Sequence, residues 1–224
     1  MKGRISSIVC LASPCDSIAD IGCDHGYIGL QLLKKDKCSE TVEVDISEPS
    51  LQKAVDLFTE KGISSRARFV VGDGLAPAKG VDAAIIAGLG GKLIIDLINK
   101  DIHIARAMDY LILQPNNSAA ELRRYVTEHG FTIIDEAICY ENRRHYAIMR
   151  IEPSRTLPLS EMEAELGPIN LERNHPILMD YARYRLKVKQ KMICTMNKGG
   201  VRDQAYFDAV HMRNRLEEFL EDNG

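Results

Sequence analysis

The sequence predicts an α/β fold: a largely parallel sheet of seven strands wound by helices, with a C-terminal helical hairpin appended. Three observations predict it. Between residue 17 and about residue 130, short apolar runs alternate with segments of helical period, the pattern of a parallel sheet covered on both faces. Two further strand-like runs then follow with little more than Asn142 between them, which predicts an antiparallel hairpin. Beyond Pro158 the composition shifts, and two stripes of apolar residues at helical spacing follow.

The strands are, in order, "SIADIG" at 17–22, "TVEVD" at 41–45, "ARFVVGDG" at 67–74, "VDAAIIAG" at 81–88 and "DYLILQP" at 109–115, then the hairpin "FTIIDEAICYE" and "RRHYAIMRIEP". Helices are expected over Tyr27 to Lys35, Pro49 to Lys61, Lys92 to Asn99 and Ser118 to His129, while the link after "ARFVVGDG" is too short for one. "ELGPINLERNHP", with its two prolines and a glycine, reads as a connector. After it, Tyr181, Tyr184, Val188 and Met192 form one stripe, and Ala205, Ala209, Met212, Leu216 and Phe219 a second, on helices joined by Lys198 to Gly200. The expected division is a sheet domain over 1–157 and a helical domain over 158–224.

Composition narrows the function classes. With 29 basic and 32 acidic residues there is no global basic field, so any nucleic-acid contact must come from a local patch. The six cysteines form no CxxC pair and no cluster with metal-ligand spacing, so reduced thiols and no metal are expected. No apolar run approaches the roughly 20 residues of a membrane span, and residues 1–14 lack a continuous hydrophobic signal region. A cytoplasmic protein, taken as a monomer, is expected.

The chemistry concentrates in "IADIGCDHGYIGLQLL". In an open parallel sheet, ligands sit beyond the carboxyl ends of the strands at the switch point beside the first strand. Gly22 and Gly26 bracket that turn, and Asp45 closes the second strand where an acid accepts ribose hydroxyls. Together these indicate an adenosine-containing cofactor. The loop Gly22-Cys23-Asp24-His25-Gly26 is not GxGxxG, and Asp24 would set a negative charge where a pyrophosphate lies. A cofactor with a positive centre suits it better, and S-adenosylmethionine carries both a sulfonium and an ammonium. Strand-end and helix-cap readings of Asp20, Asp24 and Asp45 stay open at this point, as does a local hydrogen-bonding role for His25.

"ADIGCDHGYIGLQLL", "IIAGLGGKLI", "LILQPN" and "LGP" at this spacing resemble the bacterial tRNA (adenine-22-N1)-methyltransferases along nearly the whole chain. The resemblance implies a Rossmann-like class I methyltransferase domain followed by a coiled-coil-like helical domain, with S-adenosylmethionine as cofactor and tRNA as partner. It implies that Asp20, Gly22, Cys23, Asp24, His25, Gly26 and Tyr27 surround the methionine end of the cofactor. Asp45 and Ile46 would meet its ribose, Asp73 and Gly74 its adenine, and Ala87, Gly88, Leu89, Gly90 and Gly91 would lie beneath the sulfonium. Two positions depart from the family: Ile28 and Gly29 stand where a proline is usual, and Leu89 replaces a methionine.

Methylation of adenine N1 creates a cationic ring, so a carboxylate near it would stabilise the growing charge, and Asp24 is the first candidate. Asn116, at the end of the fifth strand, would orient the base. For RNA, Arg183, Arg185, Lys187, Lys189 and Lys191 supply basic charge on the first tail helix, with Arg183–Lys187 or Arg185–Lys189 as contact pairs one turn apart. Two rival classes are an NAD(P)-dependent oxidoreductase and a non-catalytic RNA or protein adaptor with a degenerate pocket.

Overall fold

The computed structural model describes residues 3–223, so the expected outer limits at Met1 and Gly224 lie outside the described residues. The chain separates into two compact units, Met1–Pro158 and Leu159–Gly224.

The first unit begins with helix α1 (Arg4–Leu11), then β1 (Cys15–Ile21), α2 (Tyr27–Lys34), β2 (Cys38–Asp45), α3 (Glu48–Glu60), β3 (Ala67–Val71) and β4 (Ala83–Leu89). It continues with α4 (Gly91–Lys100), the single turn α5 (Ile102–Ala105), β5 (Tyr110–Pro115), α6 (Ala119–Glu128), β6 (Phe131–Glu141) and β7 (Arg144–Pro153). The seven strands form one sheet in the order β3-β2-β1-β4-β5-β7-β6. β1 to β5 run parallel, whereas β7 lies antiparallel to both β5 and β6. The hairpin turns on Asn142 and Arg143, both with positive φ (49° and 61°), the backbone that a two-residue turn between twisted strands requires.

Central strands covered on both faces read as continuous apolar runs, and β4 and β5 bury Ala83 to Ala87 and Tyr110 to Leu113 accordingly. Ile18, Ile85, Ile112 and Ile148 of the sheet pack with Ile8 and Val9 of α1, Leu30 and Leu33 of α2, and Phe58 of α3. The topology reverses between β1 and β4, which opens a crevice at the carboxyl ends of the strands. On the other flank Arg123 of α6 and Glu136 of β6 pair at 2.8 Å with both side chains wholly buried.

The second unit holds α7 (Glu161–Leu166), α8 (Pro168–Glu172), α9 (Leu178–Lys198) and α10 (Gln204–Asp222). The stretch expected as a connector therefore holds the end of α7 and all of α8 before a non-helical link. Ser160 and Glu163 form a reciprocal capping box that starts α7 (3.3 and 2.7 Å), Gly167 breaks the chain at φ 100°, and Pro168 opens α8 where a missing N–H costs nothing. The α9 stripe matches expectation at Tyr181, which is buried, but its other buried residues are Leu178, Ala182 and Ile193, and Met192 is exposed. Among the described residues no helix is long and apolar enough to cross a membrane, and no group of three or more His, Cys, Asp or Glu could hold a metal ion.

Candidate functional site

The crevice at the switch point is a cavity of about 520 Å3. Its floor is the loop from β1 to α2, where chain direction is set by left-handed backbone at Gly22, Asp24 and Gly26. Gly26 cannot be replaced for two reasons: its φ is 68°, and an added Cβ would stand 2.9 Å from that of Ala54 on α3. Asp24 accepts the left-handed conformation (φ 46°) as short polar side chains do.

Asp45 holds this loop. One carboxylate oxygen accepts the backbone N–H of Asp24 at 3.0 Å, and the other accepts that of Ser47 at 2.8 Å. Ser47 in turn caps α3 through Ser50 N–H at 3.3 Å, so one acid joins the first loop to the turn after β2. Asp45 stands at the cavity rim, with lone pairs remaining for hydroxyl donors.

Asp24 carries its charge outward. Its carboxylate meets His25 Nδ1 at 2.6 Å and Lys53 Nζ at 3.5 Å. Slight burial works to raise its pKa, but the His25 hydrogen bond and charge, with Lys53, hold it below the ordinary carboxylate range. A carboxylate held ionised is a poor proton acceptor and a good electrostatic partner. The His25 and Tyr27 rings lie nearly parallel, 7° apart with centroids at 5.5 Å. Tyr27, Ile46 and Leu93 present exposed apolar surface to the cavity. Across it, Asp73 pairs with Lys100 at 2.7 Å.

Of the residues expected at a cofactor, the cavity is lined by Gly22, Cys23, Asp24, His25, Tyr27, Asp45, Ile46, Asp73, Gly74, Ala87, Gly88 and Leu89. Cys23 is a neutral buried thiol, its pKa driven up by burial and the surrounding acids. Gly26, Gly90 and Gly91 shape the backbone behind the lining; the Gly91 N–H donates to Asn117 Oδ1 at 3.0 Å.

Two further expected site residues are not among those that line the cavity. Asp20 does not face the cavity but lies wholly buried under α2, beside Glu43 in the β1–β2 register. Burial pushes its carboxyl up to about 7 against the hydrogen bond from Gly29 and the charge of Arg4. Glu43 is raised too, first by burial and then by Asp20, and among the described residues no cation pairs with it. A Cβ on Gly29 would fall 1.8 Å from Glu43 Oε1, which accounts for glycine at that departure from the family pattern. Asn116 also lies outside the lining, because its amide donates to Gly88 O, its N–H to Leu89 O at 2.7 Å, and its Oδ1 accepts from Gln114 at 3.3 Å. Its contacts tie the end of β5 to the end of β4.

Arg185 and Lys189, expected on RNA, turn inward within the second unit. They pair with Glu165 at 2.6 and 3.2 Å, Glu165 being 1 % exposed. Arg183 pairs with the exposed Asp180 at 3.1 Å, and Lys187 and Lys191 are exposed. Those three stand four residues apart on one face of α9, about 6 Å of rise between neighbours.

The site also contains Arg4 and Ile5 from α1, which the reading of the strands did not find. The helical spacing of Ile5, Ile8, Val9 and Ala12 was the available signal.

A methyltransferase-domain family matches residues 1–149. A Mycoplasma pneumoniae protein provisionally named a tRNA methyltransferase is 31% identical over 176 residues, 75% of this chain and 80% of its own. The Bacillus subtilis tRNA (adenine(22)-N(1))-methyltransferase is 31% identical over 137 residues, 60% of this chain and 58% of its own. The structure of M. capricolum TrmK in complex with S-adenosyl-homocysteine shares the fold, with TM-score 0.81 at 21% identity over 99% of this chain and 98% of that one.

Proposed function

The chain belongs to the methyltransferase-domain family, and from that premise we propose that it methylates N1 of an adenine, position 22, in tRNA, with S-adenosylmethionine as methyl donor. One observation carries the reading: a cavity at the switch point is edged by Asp24, Asp45 and Asp73 and walled by Tyr27, Ile46 and Leu93. Carboxylates at the rim suit a cofactor with a cationic end and ribose hydroxyls, and apolar walls suit a flat adenine. A pyrophosphate would meet Asp24, which weighs against the nicotinamide alternative. The tied glycine loop weighs against a non-catalytic adaptor.

When bound, S-adenosylmethionine supplies an activated methyl group. The chain's residues then have an alignment task, worth up to roughly 7–11 kcal/mol when reacting atoms are held in line. Asp45 holds the β1–α2 loop in place. Gln114 and Asn116 hold Gly88, so the end of β4 does not yield as the target base enters. Adenine N1 presents an in-plane lone pair and needs neither a covalent enzyme intermediate nor a base to activate it. The product ring is cationic, and Asp24 offsets that charge through space. An adenine within folded tRNA must leave its stack to present N1.

The second unit binds the tRNA through the outward track of Arg183, Lys187 and Lys191. The chain works as a monomer in the cytoplasm, where its substrate is. The experiment is mass spectrometry of nucleosides from unmodified tRNA incubated with the protein and S-adenosylmethionine. N1-methyladenosine is the expected product; no product, or methylation of another base, overturns the reading.

A further inference from the structure

We propose that the tip of the β6–β7 hairpin is a contact for the phosphate backbone of the RNA, made by Arg143 and Arg144 beside the exposed ring of Tyr140; this rests on the tRNA reading above. The topology puts the tip on the same edge of the sheet as the cavity. β7 runs antiparallel to both β5 and β6, so β6 runs with β1 to β5 and ends where they end. β5 last pairs with β7 at Leu113 and Met149, whereas β6 and β7 go on pairing to Glu141 and Arg144. Those five further residues of β7 run roughly 17 Å at about 3.4 Å per residue. With only Gln114 and Pro115 left in β5, the tip stands out beyond its neighbour.

The turn carries arginine where its backbone favours glycine. Asn142 and Arg143 have φ of 49° and 61°, and a two-residue turn with both central residues left-handed takes Asn-Gly most readily. Asparagine adapts to that backbone through its short polar side chain, which arginine lacks. Strain that the turn itself does not need points to a use for the side chain. Arg143 and Arg144 are both exposed, and neither has an ion-pair partner among the described residues. Glu141, opposite Arg144 in the register, accepts the Arg4 backbone N–H at 3.4 Å instead. The next cross-strand pair is Tyr140 with His145, whose rings lie 4.7 Å apart at 50°. Alternation along the strands turns Cys139 and Tyr146 the other way, into the core that α1 shares. Two uncommitted guanidinium groups fit phosphate oxygens, and an exposed tyrosine beside them fits the flat face of a sugar or base.

β6 is also the outer strand of the sheet, and charge at an outer strand keeps it from pairing with another chain, so the test separates the two roles. The full chain is titrated with an unmodified tRNA transcript over a salt series in the presence of S-adenosylhomocysteine, alongside Tm and sedimentation. Arg143→Gly combined with Arg144→Gln is expected to leave Tm unchanged or raise it, because glycine relieves the turn. The same variant should bind tRNA about 5- to 30-fold more weakly at low salt, with a log-log salt slope smaller by roughly one to two. KM for tRNA should rise with kcat little changed, and S-adenosylhomocysteine affinity should stay the same. Lysine at both positions should keep the slope and lose only part of the affinity. Unchanged tRNA affinity and slope would overturn the proposal, and new self-association with tRNA binding intact would make the arginines guards of the sheet edge. A lowered Tm with equal losses of cofactor and tRNA binding would make them structural and overturn it too. If the unaltered protein neither binds nor methylates tRNA, the function reading itself fails, and the hairpin contact with it.

Discussion

Glu43 in the sheet and Glu165 in the helical unit are equally hidden, at 0% and 1% exposure, yet they titrate in opposite directions. Burial raises both. Glu43 faces another acid, Asp20, and stays raised, whereas Arg185 and Lys189 override burial at Glu165 and hold it below the ordinary range. Burial therefore decides little without the partner. In the helical unit Arg185 and Lys189 are committed to internal cohesion, while beneath the cavity loop Asp20 and Glu43 lie side by side with no salt bridge among the described residues.

The largest effect expected from this difference is in the second unit. Arg185→Ala removes a 2.6 Å cation partner from the buried Glu165 and should destabilise that unit by about 3–5 kcal/mol, read by urea unfolding or hydrogen exchange in α9. A loss no greater than that of a surface substitution would show that the pair is not what holds α7 to α9.

Next comes the roof over the acid pair. Gly29→Ala sets a methyl against Glu43 and should cost about 1–3 kcal/mol through overpacking. The same change in a Glu43→Ala background should cost far less. Additive losses would mean that α2 does not press on Glu43.

The pH dependences should also oppose each other. In the first unit Asp20 sits near 7 when folded and close to 3.8 when unfolded, so the folded state binds more protons between those values. Its stability contribution is full below about 4, falls as pH rises toward 7, and then levels off. Glu165 is depressed, so its contribution is present above its unfolded value near 4.5 and lost as pH falls through the folded one. Hydrogen exchange resolved by unit checks both signs, and Asp20→Asn should flatten the first slope.

The smallest stability effect belongs to the outward track. Replacing Arg183, Lys187 and Lys191 with alanine should change stability by no more than about 0.5 kcal/mol per site. The same triple change should lower the log-log salt slope of tRNA binding by roughly 2–3 if all three touch phosphate. An unchanged slope would return that face to ordinary solvated surface.

How much was legible follows the same division. The seven strands came from apolar runs because sheet burial is written in local composition, and the cavity loop from Gly22, Gly26 and Asp45 because turn geometry demands those residue types. Partner choice across the fold was not legible. Nothing in the charge run of α9 tells that Arg185 and Lys189 turn onto Glu165, about twenty residues upstream, while Arg183 and Lys187 turn out. Asp20 and Glu43 read as ordinary strand acids until the β1–β2 register set them side by side. Arg4 precedes the first strand, and only the packing of α1 brings it to the cavity.

The central claim is that the cavity serves methyl transfer to one adenine of tRNA. It is tested most directly by single-turnover transfer of labelled methyl from S-adenosylmethionine to a tRNA transcript and to the same transcript with adenine 22 changed to guanine. The account predicts label in the first, recovered as N1-methyladenosine, and none in the second. Equal labelling of both transcripts, or of neither, would contradict it.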